Sequence, residues 1–227
     1  MKRVRTFLCL APLVLAGQAY GEAPAIDWAL DDAIKQIDRQ ADDFKTAMMQ
    51  VEVVVVDSEG EELSRRTGTG FMHKNGDARY NVDNEKRTLL LDGRELQIYD
   101  QEAGKVEIYS LRKHKDRLEP FLGLGFSITG RDMEDDYLVT ILSEEHIGGR
   151  RTLVLELTPE KSAVREQVKL VKLWIDQASW MPVRQSISST ASGETVTVDY
   201  SSIARNLKLN PDLFKDRWPR GTEKIKK

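Results

Sequence analysis

The sequence predicts a mainly β fold with α-helical lids: a strongly curled antiparallel sheet of about 11 strands forming an unclosed β-barrel. Three observations carry this reading. Residues 26–49 place apolar side chains at helical spacing, whereas from Val51 onward the apolar period falls to two. The later segments are short, rich in β-branched residues and separated by turn chemistry. So many strands in one meander are too many for a flat open sheet of this length, so the sheet must curl and its concave face must be filled.

The chain opens with a stretch that reads as a secretory signal peptide over residues 1–21. Lys2, Arg3 and Arg5 give a basic start, residues 7–16 an apolar run, and Ala19-Tyr20-Gly21 a small-x-small cleavage site. An apolar run of about ten residues is too short to span a bilayer, which needs about 20. Cys9, the single cysteine, lies inside that run and not behind a cleavage point, so no lipid anchor is expected. Residues 22–227 are then expected to form a single soluble periplasmic domain. Loss of residues 1–21 takes the formal charge from −3 to −6, the wrong sign for bulk nucleic-acid binding. It also removes the only thiol, which excludes disulfides, thiolate metal sites and thiol catalysis.

In residues 26–49, Leu30, Ile34, Ile37, Ala41, Phe44 and Met48 alternate at spacings of four and three and so form one apolar stripe. Asp31, Lys35, Arg39, Asp42 and Asp43 occupy the opposite face. Strands are predicted at 51–57, 65–73, 78–83, 86–91, 95–100, 104–110, 136–143, 151–158, 167–176, 181–190 and 194–203. Turns at Ser58-Glu59-Gly60, Asn75-Gly76-Asp77, Asp92-Gly93, Ala103-Gly104, Gly148-Gly149 and Ser192-Gly193 join several of them. The exception is 114–130, where Leu118, Phe121 and Leu122 share a helical face that Gly123 and Gly125 end. This is the second lid.

The catalytic inventory is sparse. His73, His114 and His146 sit in separate segments without the paired spacing of zinc sites. Thr67-Gly68-Thr69-Gly70 and Gly123-Leu124-Gly125 lack the strand-to-helix context of a phosphate loop, and the pairs Asp135-Asp136 and Glu144-Glu145 read as solvated turn residues. No enzyme is expected, and no metal. Two basic clusters stand out: Arg112, Lys113, His114, Lys115 and Arg117, a candidate docking patch, and a tail with Arg217, Arg220, Lys224, Lys226 and Lys227.

These pieces together resemble a family, the LolA-type lipoprotein carriers and their lipoprotein-sorting relatives, over nearly the whole of residues 22–227. The resemblance rests on "FKTAMMQVEVVV", "RRTGTGFMH", "LLLDGRELQIYDQEAGKVEIY", "VKLVKLWIDQASWMPVRQ" and "NPDLFKDRWPRGTEKI". It implies an unclosed barrel under a helical lid, an apolar cavity and no cofactor. It also implies acylated lipoprotein or lipid cargo, an inner-membrane release complex, an outer-membrane acceptor and a monomeric carrier. In carriers of this type a basic residue followed by proline, just after the strand-opening glycines, latches the lid. Here Lys74 and Arg79 are the candidates, without the proline. A carrier of another acylated cargo, such as a glycolipid or lipid-linked pigment, fits the same residues, as does a sensor of mislocalised lipid.

Parity within the strands selects the expected cavity residues: Val53, Val55, Phe71, Leu89, Leu91, Leu96, Ile98, Ile108, Leu155, Leu173, Ile175, Val196 and Val198. Leu30, Ile34, Ile37, Phe44, Leu118, Phe121 and Leu122 are expected to reach the cavity from the lids.

Overall fold

A computed structural model of the chain describes residues 27–83, 85–111 and 129–227. Helix α1 spans Leu30–Asp43, with Asp31 and Asp32 in its first turn, where the helix dipole favours negative charge. Its buried face is Ala33, Ile34, Ile37 and Gln40. The helix is shorter than the sequence predicts. Phe44 is extended (φ −71°, ψ 130°), and Thr46 opens strand β1 (Thr46–Val56). Asn206 imposes the stop from the far end of the chain: its Nδ2 donates to the Asp43 carbonyl at 3.0 Å, and its Oδ1 accepts from the Lys45 amide at 2.9 Å. Beyond that point Ala47, Met49 and Val51 are buried on alternate positions while Met48 is exposed, so the run from Thr46 onward belongs to a strand.

Strands β2 (Glu62–His73), β3 (Ala78–Val82), β4 (Arg87–Leu91), β5 (Glu95–Asp100) and β6 (Lys105–Ser110) follow as successive hairpins. After helix α2 (Gly130–Asp136) come β7 (Tyr137–Ile147), β8 (Arg150–Pro159), a short helix α3 (Ser162–Arg165), β9 (Val168–Asp176), β10 (Pro182–Ser189) and β11 (Thr195–Arg205). A 3-10 turn at Pro211–Phe214 precedes β12 (Glu223–Lys226). The turn glycines named above, from Gly60 to Gly193, all have positive φ.

The sheet has twelve strands in the order β12-β6-β5-β4-β3-β2-β1-β11-β10-β9-β8-β7, and it does not close, since β12 and β7 are its two edges. Two points correct the expectation of one eleven-stranded meander. The chain makes two meanders, β1–β6 and β7–β11, and joins them by pairing β1 antiparallel to β11, Val53 opposite Val198. The twelfth strand, β12, lies parallel to β6. A turn at Pro219-Arg220-Gly221 precedes it, but its Glu-Lys-Ile-Lys sequence carries no apolar alternation, so the sequence reading did not include it.

One face of the β7–β10 half is covered by α1. Ile34 and Ile37 are buried there with Leu153, Leu155, Leu157, Val171, Leu173 and Ile175. Helix α2 docks on α1 through Gly130. A Cβ there would lie 2.8 Å from Ile34 Cγ2, so only glycine permits the approach, and the Gly130 amide donates to Asp38 Oδ1 at 2.7 Å. The Thr129/Asp132 capping box starts this helix, and the sequence reading did not include it. The helix expected at 114–130 lies outside the described residues except for Thr129 and Gly130.

The segment after β11 folds over the opposite face of β3–β6. Trp218 stacks on Tyr99 with ring centroids 4.8 Å apart, and its Nε1 donates to Gln97 Oε1 at 2.7 Å. Register puts Gln97 and Tyr99 on the face away from Leu96 and Ile98.

Candidate functional site

An apolar cavity of about 300 Å³ opens on the concave face beside the region covered by α1. Strand β1 contributes Met49, Val51 and Val53. Leu89 and Leu91 come from β4, Leu96 from β5 and Val198 from β11. Glycine makes part of the space: a Cβ on Gly70 would sit 2.9 Å from Val51 Cγ2 and 3.3 Å from Met49 Cγ. One residue-pair earlier, Gly68 leaves room for Tyr80, whose ring carbon would be 2.8 Å from a Cβ there. The Thr-Gly-Thr-Gly stretch is thus a strand thinned on one side.

The polar residues of the lining are few. Tyr80, Tyr200, Gln185 and Arg79 reach it from β3, β11 and β10. Burial, with the Asp83 charge adding to it, pushes the Tyr80 phenol up to about 12. Burial likewise raises the pKa of Tyr200, with the Asp199 charge adding to it. Tyr200 Oη donates to Gln185 Oε1 at 3.2 Å, while Gln185 Nε2 and Tyr80 Oη have no protein partner.

Of the residues expected in the cavity, Val53, Phe71, Leu89, Leu91, Leu96 and Val198 line it. Leu155, Leu173 and Ile175 occupy the same face but are packed under α1, fully buried against Ile34 and Ile37, with Leu30 partly buried at the margin. Val55 pairs with Val196 at the far end of β1 and β11, both half-buried. Ile98 borders a separate hollow of about 350 Å³ whose other walls include Arg87, Asp100, Lys105 and Glu107. Ile108 lies on the opposite face from Leu96 and Ile98, with Tyr99, Val106 and Trp218. Phe44 is buried with Ala47, Met49, Val51 and Met181, not on the helix.

The two candidate latch residues are apart from α1. Arg79 donates through Nε to Asn81 Oδ1 at 2.8 Å and through Nη1 to the Leu213 carbonyl at 3.3 Å, which ties down the C-terminal segment. Burial lowers its pKa. Lys74 is exposed, its backbone amide donating to the Lys45 carbonyl at 2.9 Å. Leu118, Phe121, Leu122, Arg112, Lys113, Lys115 and Arg117 lie outside the described residues. The C-terminal basic cluster is largely paired: Arg217 with Asp212, Lys224 with Asp216 and Lys227 with Glu107.

Met49, Ala78, Tyr80, Gln185 and Tyr200 are cavity residues that sequence reasoning missed. Met49 shares the parity of Val53 but fell within the over-extended helix. Gln185 shares the parity of Ile187, and Tyr200 that of Val198, but polarity argued against counting either among apolar wall residues. The acidic pair on β7 is structural: Glu144 bonds Arg151 at 2.6 Å, and Glu145 Oε2 accepts from Trp174 Nε1 at 2.8 Å. Among the described residues no group of three or more His, Cys, Asp or Glu could hold a metal ion, and no helix is long and apolar enough to cross a membrane.

A family model described only as "-like: Uncharacterized protein" matches residues 81–206, more than half of the chain. The chain belongs to that family. Its matched stretch runs from the end of β3 through β11, so the family segment contains Leu89, Leu91, Leu96, Gln185, Val198 and Tyr200, while α1 and β1 precede it. No curated protein matches the chain. Among solved structures, an uncharacterized conserved protein from Thermus thermophilus shares 9% identity, with 87% of this chain and 98% of that one covered and a TM-score of 0.56. That match shows a shared fold. Also similar are the lipoprotein LppX from Mycobacterium tuberculosis (17% identity, 82% and 99% covered, TM-score 0.49) and a LolA superfamily protein from Nitrosomonas europaea (17% identity, 83% and 98% covered, TM-score 0.42).

Proposed function

We propose that the chain is a soluble periplasmic carrier that shields the acyl chains of lipoproteins in its apolar cavity and delivers them from the inner to the outer membrane, without catalysis. The observation that carries this reading is the cavity itself, walled by Val53, Leu89, Leu91, Leu96 and Val198 and open at one side of a lid helix. Each methylene withdrawn from water is worth about 0.8 kcal/mol, so acyl chains cross an aqueous gap only when covered. A volume of about 300 Å³ is at the low end for ligand pockets.

More room lies next door. Val198 pairs with Gln185, Gln185 with Leu173 and Leu173 with Leu155, so the cavity wall continues without a break into the rows beneath α1. Lifting α1 would add Leu155, Leu173 and Ile175 to the lipid-facing surface, with the helix acting as a lid whose position cargo controls. Of the expected cavity positions, Val53, Phe71, Leu89, Leu91, Leu96 and Val198 line the space and Leu155, Leu173 and Ile175 would become available when α1 moves, whereas Val55, Ile98, Ile108 and Val196 fall in neither group.

The test is release. Purified protein is incubated with spheroplasts carrying labelled, triacylated lipoproteins. One-to-one soluble complexes are expected, and Leu89→Glu, which puts a charge in the apolar wall, should abolish loading with the fold retained. If wild type releases no lipoprotein but carries a phospholipid or glycolipid by mass spectrometry, the cargo is another acylated lipid. Protein free of lipid in both assays would sink the carrier reading.

A further inference from the structure

We infer that the cavity recognises neutral carbonyl oxygens on its acyl ligand, ester or amide, through two separate donors, the Gln185 side-chain amide and the Tyr80 hydroxyl. This deepens the carrier reading and rests on it. Gln185 is 3% exposed, and its Nε2 has no partner. The Tyr200 hydroxyl occupies Oε1, so the amide's NH₂ end is the one left for a ligand. Tyr80 Oη is buried and also unpartnered. Two orphaned donors in one apolar cavity cost roughly 1–3 kcal/mol each until an acceptor arrives, and a bare hydrocarbon brings none.

The two donors come from different walls, Tyr80 from β3 and Gln185 from β10, with β2, β1 and β11 between them in the sheet. The Tyr80 ring lies over Gly68, where a Cβ would come within 2.8 Å of it and within 2.0 Å of the Asn81 carbonyl oxygen. The phenol remains protonated at neutral pH and is a donor there. An anionic carboxylate suits the site less well. Both donors are neutral, so neither supplies the counter-ion that a buried carboxylate needs. The fitting ligand is therefore an esterified or amide-linked acyl chain whose first carbonyl enters with it.

The experiment measures displacement of the apolar fluorophore N-phenylnaphthylamine from the purified protein by dodecane, methyl laurate and lauric acid at neutral pH. Methyl laurate is expected to compete about tenfold better than dodecane, the yield of one or two neutral hydrogen bonds. In the double variant Tyr80→Phe, Gln185→Met that preference should vanish while dodecane competes as before. Tyr80→Phe alone, which removes an unsatisfied hydroxyl and keeps the ring, guards against misfolding and should lose part of the preference. Equal competition by ester and alkane in wild type, or a preference that survives the double variant, overturns the inference. Lauric acid outcompeting the ester overturns its neutral-carbonyl form. No displacement by any of the three overturns the carrier reading together with it.

Discussion

Gln40 sits on the buried face of α1 at 6% exposure, and neither its amide nitrogen nor its amide oxygen has a partner. A buried amide in that condition costs roughly 1–3 kcal/mol per unsatisfied group, and water would relieve it if the helix lifted. The docked lid is thus held below its attainable stability. Gln40→Leu should raise the melting temperature by about 2–4 °C for each kcal/mol recovered and should slow cargo loading. A melting temperature that falls would mean that the amide is satisfied in solution. This residue shows where sequence reasoning stops. The stripe of Leu30, Ile34 and Ile37 was legible from spacing alone, but a polar residue buried one position off that stripe has no sequence signature. Gln185 and Tyr80 escaped for the same reason: parity finds the face, not the exceptions on it.

At the scale of elements, the sequence made most strands and turns legible because each hairpin is local. The misjudged boundaries have distant causes. Helix α1 ends at Asp43 because Asn206, 163 residues later, bonds the Asp43 carbonyl, and strand β12 exists because β6 offers it an edge. Asn206 also holds a positive φ of 58°, which asparagine tolerates better than alanine. Asn206→Ala should therefore cost about 1–3 kcal/mol in chemical denaturation, and an unchanged midpoint would remove it from the role of helix stop. The C-terminal segment is a second long-range element. Trp218→Ala, which removes the stack on Tyr99 and the bond to Gln97, should cost about 3 kcal/mol, toward the lower end for a Trp truncation since this ring is only half-buried.

For the molecule as a whole, acid should lower stability, and the ties of the C-terminal segment are among those it weakens. The Asp100 carboxyl is held below its usual range by the Ala103 amide and Arg87, Glu107 by Tyr109 and Lys227, and Asp212 by Lys215 and Arg217. Carboxyls with depressed folded pKa values add stability above the ordinary carboxylate range, about 4, and that stability disappears as pH falls through and below it. Melting temperature should be level near neutrality and decline below about pH 4.5; a flat profile to pH 3 would contradict these assignments. The pairing of β1 with β11 has a consequence for biogenesis. Val53 meets Val198 across roughly 150 residues of chain, so the seam between the two halves closes only when nearly all of the polypeptide is present. Until then β1, with Val53-Val54-Val55-Val56 in a row, has one bare edge of the kind that recruits other strands. A half-emerged chain is therefore an aggregation hazard, and its folding should benefit from a holding chaperone that covers β1 until β11 arrives.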